Sequence, residues 1–274
     1  MATINFHTIW IGVAGYDRPI VANSVDSALS KLFNRSVGKR LRVSSDIDLL
    51  VTSAASTKNL DSAVVLVAGT GSVAMSYELK GGKLVRTGRS GGWGHLLGDD
   101  GSGYGIGREA LRMALDAAES QNMDDNEPNQ IDPLIERIFQ HFGLSTPASS
   151  EIELLNRVLS PESGQDRNQA ARKIAEVGKV VLQERETSDA ANRIIWRGCN
   201  SLVQIVSSLI GQRKLDVSTS TLVLAGGLLQ NRGYRESFLE ILSAKELQFN
   251  SIKVVENPAM AGAKNLLTTI HTSI

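Results

Sequence analysis

The chain has 274 residues, and its 29 Lys plus Arg balance 29 Asp plus Glu, so the formal net charge is zero and nothing marks a nucleic-acid or anionic-membrane binder. Hydrophobic residues make up 42% and charged residues 21%, which excludes a mainly disordered chain and fits one large or two small domains. The single cysteine, Cys199, excludes an intrachain disulfide or an all-cysteine cluster within one chain; with no membrane-length apolar run and no signal-like opening, the expectation is a reduced, cytoplasmic protein.

In chain order, Thr8 to Val13 is β-branched and aromatic and ends at the breaker Ala14–Pro19, which predicts a first strand. Val25, Leu29, Leu32 and Phe33 then recur at helical spacing. A short strand, Leu41 to Val43, delivers Ser44-Ser45-Asp46, and Leu49, Leu50 and Ala54 belong to a second helix. Strand and helix in alternation imply a parallel α/β unit. From Ala63 the pattern changes. Ala63 to Ala68 is continuously apolar, as in a strand buried on both faces. Gly69–Ser72 turns it, Lys80–Lys83 turns again, and the result is a three-stranded meander. A glycine-rich stretch, Gly91–Gly107, leads into helices over about 106–118, 133–142, 151–159, 166–184 and 189–210, with a polar loop at 121–130. In the last of these helices Ala191, Ile195, Cys199, Leu202, Val206 and Leu209 form an apolar stripe. The chain closes with a strand running through Ser220–Leu229, a helix over Tyr234–Leu242, a strand at 252–256 and a helix over Ala259–Ile270.

Four stretches are candidates for chemistry. A buried strand ending in Gly69-Thr70-Gly71-Ser72 offers backbone N–H groups and two hydroxyls to phosphate oxygens; an ordinary glycine hairpin is the other reading, and no GK[ST] ending supports a Walker loop. Ala225-Gly226-Gly227, between a buried strand and a helix, lets a flat ligand or its phosphates approach the backbone, or is simply a tight turn. In Gly91–Gly107 the dense glycines expose backbone donors, Trp93 offers a flat face for a sugar ring and Asp99 can accept two hydroxyl protons, whereas a flexible linker would lack Trp and His. His95 alone reads as structural. Asp46, just past a strand, stands where parallel sheets place ligands and could take the proton of an attacking hydroxyl, although a helix N-cap is the plainer job.

The order of SSD (44–46), VAGTGS (67–72), GGWGHLLGDDGS (91–102), LAGGLL (224–229) and NPAMAGAKNLL (257–267) resembles the N-acetylglucosamine kinase group of the BadF/BadG/BcrA/BcrD-type ATPases, in the actin–hexokinase superfamily. The resemblance covers nearly the whole chain. It implies a ribonuclease H-like α/β fold in two domains: a partial first domain at 1–61, a nucleotide- and sugar-binding domain at 62–257, and a C-terminal helix at 258–274 packing back on the first. It implies ATP-dependent phosphorylation of N-acetyl-D-glucosamine on its 6-hydroxyl, with ATP and Mg²⁺, a small-molecule sugar as partner and a homodimer. By motif, Asp46 would be the catalytic base and Gly92, Trp93, Gly94 and Asp99 the sugar loop. Gly69, Thr70 and Gly71 would form the phosphate hairpin, and Ala225, Gly226 and Gly227 the adenosine-side turn. The resemblance supplies no protein ligand for a metal.

Two departures stand out. The family's opening DGGGT-like hairpin, and a sugar-contacting asparagine from the same segment, have no counterpart in these residues. The expectation is an incomplete first domain, about 50 residues short at usual element lengths, in a truncated product or an inactive sugar-binding relative. Residues 8–13 would then be an uncovered apolar sheet edge. Ser188 replaces the glycine usual before Asp189 and is expected to crowd the nucleoside. A dehydratase activator of the same broad family would need two cysteines per subunit for an iron–sulfur cluster, and this chain has one.

Overall fold

The computed structural model describes residues 6–121, 131–144, 151–160 and 169–271. A small parallel pair, β1 (Ile9–Val13) and β2 (Leu41–Ser45), is joined through α1 (Pro19–Phe33) and followed by α2 (Asp46–Val51) and a 3-10 turn, Thr52–Ser56. The main sheet holds β3 (Ser62–Ala68), β4 (Ser72–Lys80), β5 (Lys83–Gly91), β6 (Ser220–Ala225) and β7 (Ser251–Val255), in the order β5-β4-β3-β6-β7. The meander β3–β4–β5 is antiparallel, whereas β6 and β7 run parallel to β3. This mixed order is the ribonuclease H-like arrangement implied by the motifs. The helices are α3 (Gly103–Gln121), α4 (Pro133–His141), α5 (Glu151–Leu159), α6 (Gln169–Gln183), α7 (Asp189–Arg213), α8 (Gly227–Gln230), α9 (Arg232–Ala244) and α10 (Pro258–His271). The expected polar loop at 121–130 begins at Gln121, where α3 ends, and its other residues, like the first residues of the expected 166–184 helix, lie outside the described residues.

Period-two alternation splits the sheet's side chains between two layers. Val64, Leu66, Ala74, Leu222 and Leu224 face α3, α6, α7 and α9 in the larger core. Ala63, Val65, Met75, Tyr77, Val223 and Val255 face the other way, against Ile47, Leu50 and Val51 of α2 and Ala261 of α10. Thus α2, which follows the first strand pair in sequence, covers the main sheet. Helix α10 closes over α2, where a Cβ on Gly262 would fall 2.6 Å from a methyl of Leu49. By contrast, β1 pairs only with β2 among the described strands, none of its residues is buried, and α1 buries no residue at all.

The glycines at the end of the 91–107 stretch serve packing. A Cβ on Gly107 would sit 2.0 Å from the Ile174 carbonyl oxygen, one on Gly101 would sit 2.3 Å from that of Gly198, and one on Gly178 would sit 2.9 Å from that of Gly103. Helix α3 therefore crosses α6 backbone to backbone, and its first turn also touches α7. The reading of this whole stretch as ligand-facing is corrected: Gly101, Gly103 and Gly107 set helix separation, and Gly105 packs on the backbone of Asp99 and Asp100. Gly107→Ala should lower the thermal unfolding midpoint by several degrees, since overpacking costs about 1–3 kcal/mol. A midpoint equal to that of the native chain, measured by calorimetry, would contradict this close crossing.

Candidate functional site

Both glycine turns lie at the carboxyl ends of parallel strands. Because β3 and β6 are paired with Val67 opposite Ala225, Gly69-Thr70-Gly71 and Gly226-Gly227 emerge side by side. Gly226, at φ +95°, passes so close to β3 that a Cβ would fall 2.4 Å from the Ala68 carbonyl oxygen, so only glycine fits. In the first turn the Gly69 N–H donates to the Gly71 carbonyl at 2.9 Å. The Gly69 and Thr70 carbonyls accept the Gly103 and Tyr104 N–H groups of the first turn of α3, at 2.7 and 3.2 Å. The Ser72 N–H donates to Asp99 Oδ1 at 3.1 Å. Among the described residues, the N–H groups of Thr70 and Gly71 are left without a protein acceptor. That is a small cradle of the kind that suits an anion.

The stretch after β5 divides in two. Gly91, Gly92 and Gly94 have positive φ and shape an outer turn in which the Gly98 N–H returns to the Gly94 carbonyl at 2.8 Å. Trp93 stands on this turn 69% exposed, beside exposed Leu96 and Leu97, so its indole face is open to solvent. From Asp99 inward the chain is fixed. Asp99 adopts a left-handed conformation at φ +64°, which Asp tolerates better than most residues. Its carboxylate lies where a Cβ on Gly71 would be, within 3.0 Å. Ser72 Oγ donates to the Asp100 carbonyl at 2.8 Å, and the buried Ser102 hydroxyl caps α3 by accepting the Gly105 N–H at 3.2 Å.

A cavity of about 260 Å³ opens where these pieces meet, lined by Thr70, His95, Asp99, Tyr104, Ala171 and Arg172. The His95 ring meets Tyr104 edge-on, with centroids 5.3 Å apart. Thr70 and Asp99 are thus brought together, while Asp46, Trp93 and the Gly226–Gly227 turn do not line this cavity. Sequence reasoning misses Tyr104 and Arg172: Arg172 lies in α6, far along the chain and in no motif, whereas Tyr104 sits inside the glycine stretch with no pattern of its own.

Asp46 opens α2 at the carboxyl end of β2. The N-cap role considered for it belongs to its neighbour Ser45, whose hydroxyl accepts the Ile47 N–H at 3.4 Å; Asp46 Oδ1 accepts the same N–H at 3.1 Å. Its α-carbon lies against Gly12 of β1, where a Cβ would come within 2.9 Å. Two residues on, Asp48 accepts the hydroxyl hydrogen of buried Tyr77 at 2.8 Å. Burial, and next the Asp48 charge, push the Tyr77 phenol above its usual range. Asp48 is therefore an anchor between α2 and the main sheet.

Ser188 is buried and caps α7, accepting the Ala191 N–H at 2.9 Å and donating to Asp132 Oδ1 at 2.5 Å; Asp132 in turn caps α4 through the Leu134 N–H. Its hydroxyl is spent joining α4 to α7, which corrects the expectation that it crowds a nucleoside. Cys199 is fully buried on the α7 stripe, where burial pushes its thiol up to about 12. It is no ligand for a shared cluster. Among the described residues no group of three or more His, Cys, Asp or Glu is placed to hold a metal ion, and no helix is long and apolar enough to cross a membrane.

The fold is an actin–hexokinase-type α/β fold. It matches crystal structures from Chromobacterium violaceum (TM-score 0.65, 16% identity, 97% of this chain and 78% of that one) and Porphyromonas gingivalis (TM-score 0.62, 18% identity, 94% and 76%), both provisionally described as N-acetylglucosamine kinases. The profile of the BadF/BadG/BcrA/BcrD ATPase family matches residues 3–264, and the chain belongs to that family. Among curated relatives, the N-acetyl-D-glucosamine kinase of Dictyostelium discoideum is 28% identical over 234 residues, 85% of this chain but 66% of the relative's length. The N-acetylmuramic acid/N-acetylglucosamine kinase of Clostridium acetobutylicum is 28% identical over 269 residues, 93% of this chain and 75% of the relative.

The thiol provides a check on the core. An exposed thiol ionises near its ordinary value of 9.0, while the folded chain keeps Cys199 protonated to about 12. This contribution to stability is full below pH 9 and is lost as the pH rises above it. Iodoacetamide at pH 8 should leave native Cys199 unmodified and label it fully in denaturant; full labelling of the native protein would contradict its burial.

Proposed function

We propose that this protein is an ATP-dependent sugar kinase that transfers the γ-phosphoryl group to the 6-hydroxyl of N-acetyl-D-glucosamine. The observation that carries the reading is the joining of the glycine hairpin to the Trp93 loop. Thr70 and Asp99 line one cavity, and the Asp99 carboxylate is bonded to the hairpin backbone. A donor phosphate on the hairpin and a polyol on the loop would therefore be neighbours. The names of the curated relatives point to an amino sugar.

In this reading the open N–H groups of Thr70 and Gly71 hold nucleotide phosphates, and Ala225, Gly226 and Gly227 pass beneath the adenosine side. A magnesium ion carried by the nucleotide would neutralise its phosphates, since no acid cluster among the described residues is placed to hold the ion by itself. Trp93 stacks on the sugar ring, Gly92 and Gly94 let the ring approach the backbone, and Asp99 accepts its hydroxyl hydrogens. Asp46 removes the 6-hydroxyl proton as that oxygen bonds to the γ-phosphorus and the bond to ADP breaks. Positioning and charge neutralisation supply most of the acceleration. Residues 1–61 with the helix at 258–274 form one unit and 62–257 the other; because α2 packs on the main sheet, Asp46 stays close to that sheet, and closure of the β1 side expels water.

A coupled assay for ADP release with N-acetylglucosamine, ATP and Mg²⁺ tests this directly. Asp46→Asn should lower turnover by about 10²–10⁴-fold with sugar binding retained in calorimetry. Trp93→Ala should weaken sugar binding about tenfold. Sugar binding by folded protein without ADP release would assign a binding role instead, and absence of both would remove the proposal.

A further inference from the structure

The proposed reaction gives no task to Arg89 or Asp17, yet these two side chains join the first strand pair to the Trp93 loop. Arg89 lies near the end of β5 and sends one guanidinium to three acceptors. Its Nη1 donates to Asp17 Oδ2, its Nη2 to the Gly92 carbonyl at 2.5 Å, and its Nε to the Gly91 carbonyl at 3.3 Å. Asp17 belongs to the turn between β1 and α1. That turn is held by the Tyr16 and Arg18 N–H groups, which donate to the Val13 and Gly15 carbonyls at 3.3 and 3.0 Å. The position of Asp17 is therefore set by the end of β1.

The pair is only partly exposed, 15% for the Asp17 side chain and 37% for Arg89, so it is less screened than an ordinary surface pair. The backbone is shaped around it. Gly92 has φ +71°, and a Cβ there would lie 2.6 Å from Arg89 Nη2 and 2.8 Å from a methyl of Val73. The Gly92 N–H meanwhile donates to the Ser72 carbonyl at 2.9 Å. The residue before Trp93 is thus held on one side by the glycine hairpin and on the other, through Arg89, by the first strand pair. The planar fork suits this task, since a lysine ammonium cannot present the same three directions at once.

We propose that Arg89 is a positioning residue for the Gly92–Asp99 loop, anchored by Asp17. The placement of Trp93 then depends on the first strand pair as well as on the sheet that carries the loop. Separation of the two parts breaks the Arg89–Asp17 contact and loosens the loop, so the affinity of the loop for its ligand depends on Asp17, a residue outside it. The affinity consequence rests on the sugar-kinase reading; the mechanical tie does not.

The test uses Asp17→Asn, Arg89→Gln and the double variant. Hydrogen exchange of the ligand-free proteins should show amides of residues 92–99 opening about five- to tenfold faster in each single variant, the scale of one lost hydrogen bond in a partly exposed setting. The double variant should go no further than the worse single, which additive structural damage would not produce. Arg89→Lys should restore protection only in part. In calorimetry with N-acetylglucosamine, both single variants should bind the sugar several-fold more weakly, again without additivity. Exchange confined to the neighbours of each substitution, or strictly additive effects, would overturn the proposal. Faster loop exchange in a protein that shows no sugar binding would uphold the tie and remove the sugar-kinase reading, so the two failures are distinct.

Discussion

The site depends on one carboxylate. Asp99 accepts the Ser72 N–H and fills the space beside Gly71 that any side chain there would need. This contact closes the glycine hairpin on one side, while the N-terminal turn of α3 closes it on the other by donating to the Gly69 and Thr70 carbonyls. With the Gly69 N–H and the Ser72 N–H engaged, the donors left facing outward are those at the tip. A hairpin of the same sequence without Asp99 and α3 would have its carbonyls as free as its N–H groups, and little reason to prefer an anion. The acid is held in a left-handed backbone conformation to reach this place, a cost that the surrounding hydrogen bonds over-determine.

The same contact explains why the glycine-rich stretch has two characters. Its outer half, through Gly94 and Trp93, is an open turn with an indole in solvent. Its inner half is a packing device in which α3 comes within backbone contact of α6 and α7. Asp99 is the junction between them. An adaptable surface is thereby attached to a rigid hairpin over a short covalent distance, and the helices α3, α6 and α7 carry the rigidity into the larger core.

Much of this was legible in the sequence, for identifiable reasons. The unbroken apolar run Ala63–Ala68, followed by Gly-Thr-Gly-Ser, specified a buried strand and its turn, and the period-two split of Val64 and Leu66 from Ala63 and Val65 follows from strand geometry alone. The stripe from Ala191 to Leu209 is buried at each position named. What stayed hidden was long-range. Nothing local distinguishes a glycine whose missing Cβ admits a ligand from one whose missing Cβ admits another helix, and Gly103 and Gly107 are of the second kind. Ser188 looks like an intruder in the sequence because its partner, Asp132, lies 56 residues away at the start of another helix. Arg172 and Asp17 belong to no pattern; each matters through what the fold sets opposite it.

The thin first sheet is held in place from outside itself. No residue of β1 or α1 is buried, so that pair has little core of its own. Its orientation relative to the main sheet is imposed by α2, whose Ile47, Leu50 and Val51 pack on Val65 and Val223, by Tyr77 bonded to Asp48, and by α10 over Leu49. Asp46 is the first residue of that same helix, so the part of the first unit that carries the proposed base is also the part most firmly fixed to the main sheet. Motion between the two sheets must therefore be small near Asp46 and larger toward β1, where the contacts thin out and where Asp17 reaches across to Arg89. In the proposed reaction, such an arrangement would hold the base in place while the outer edge opens to admit a polar ligand.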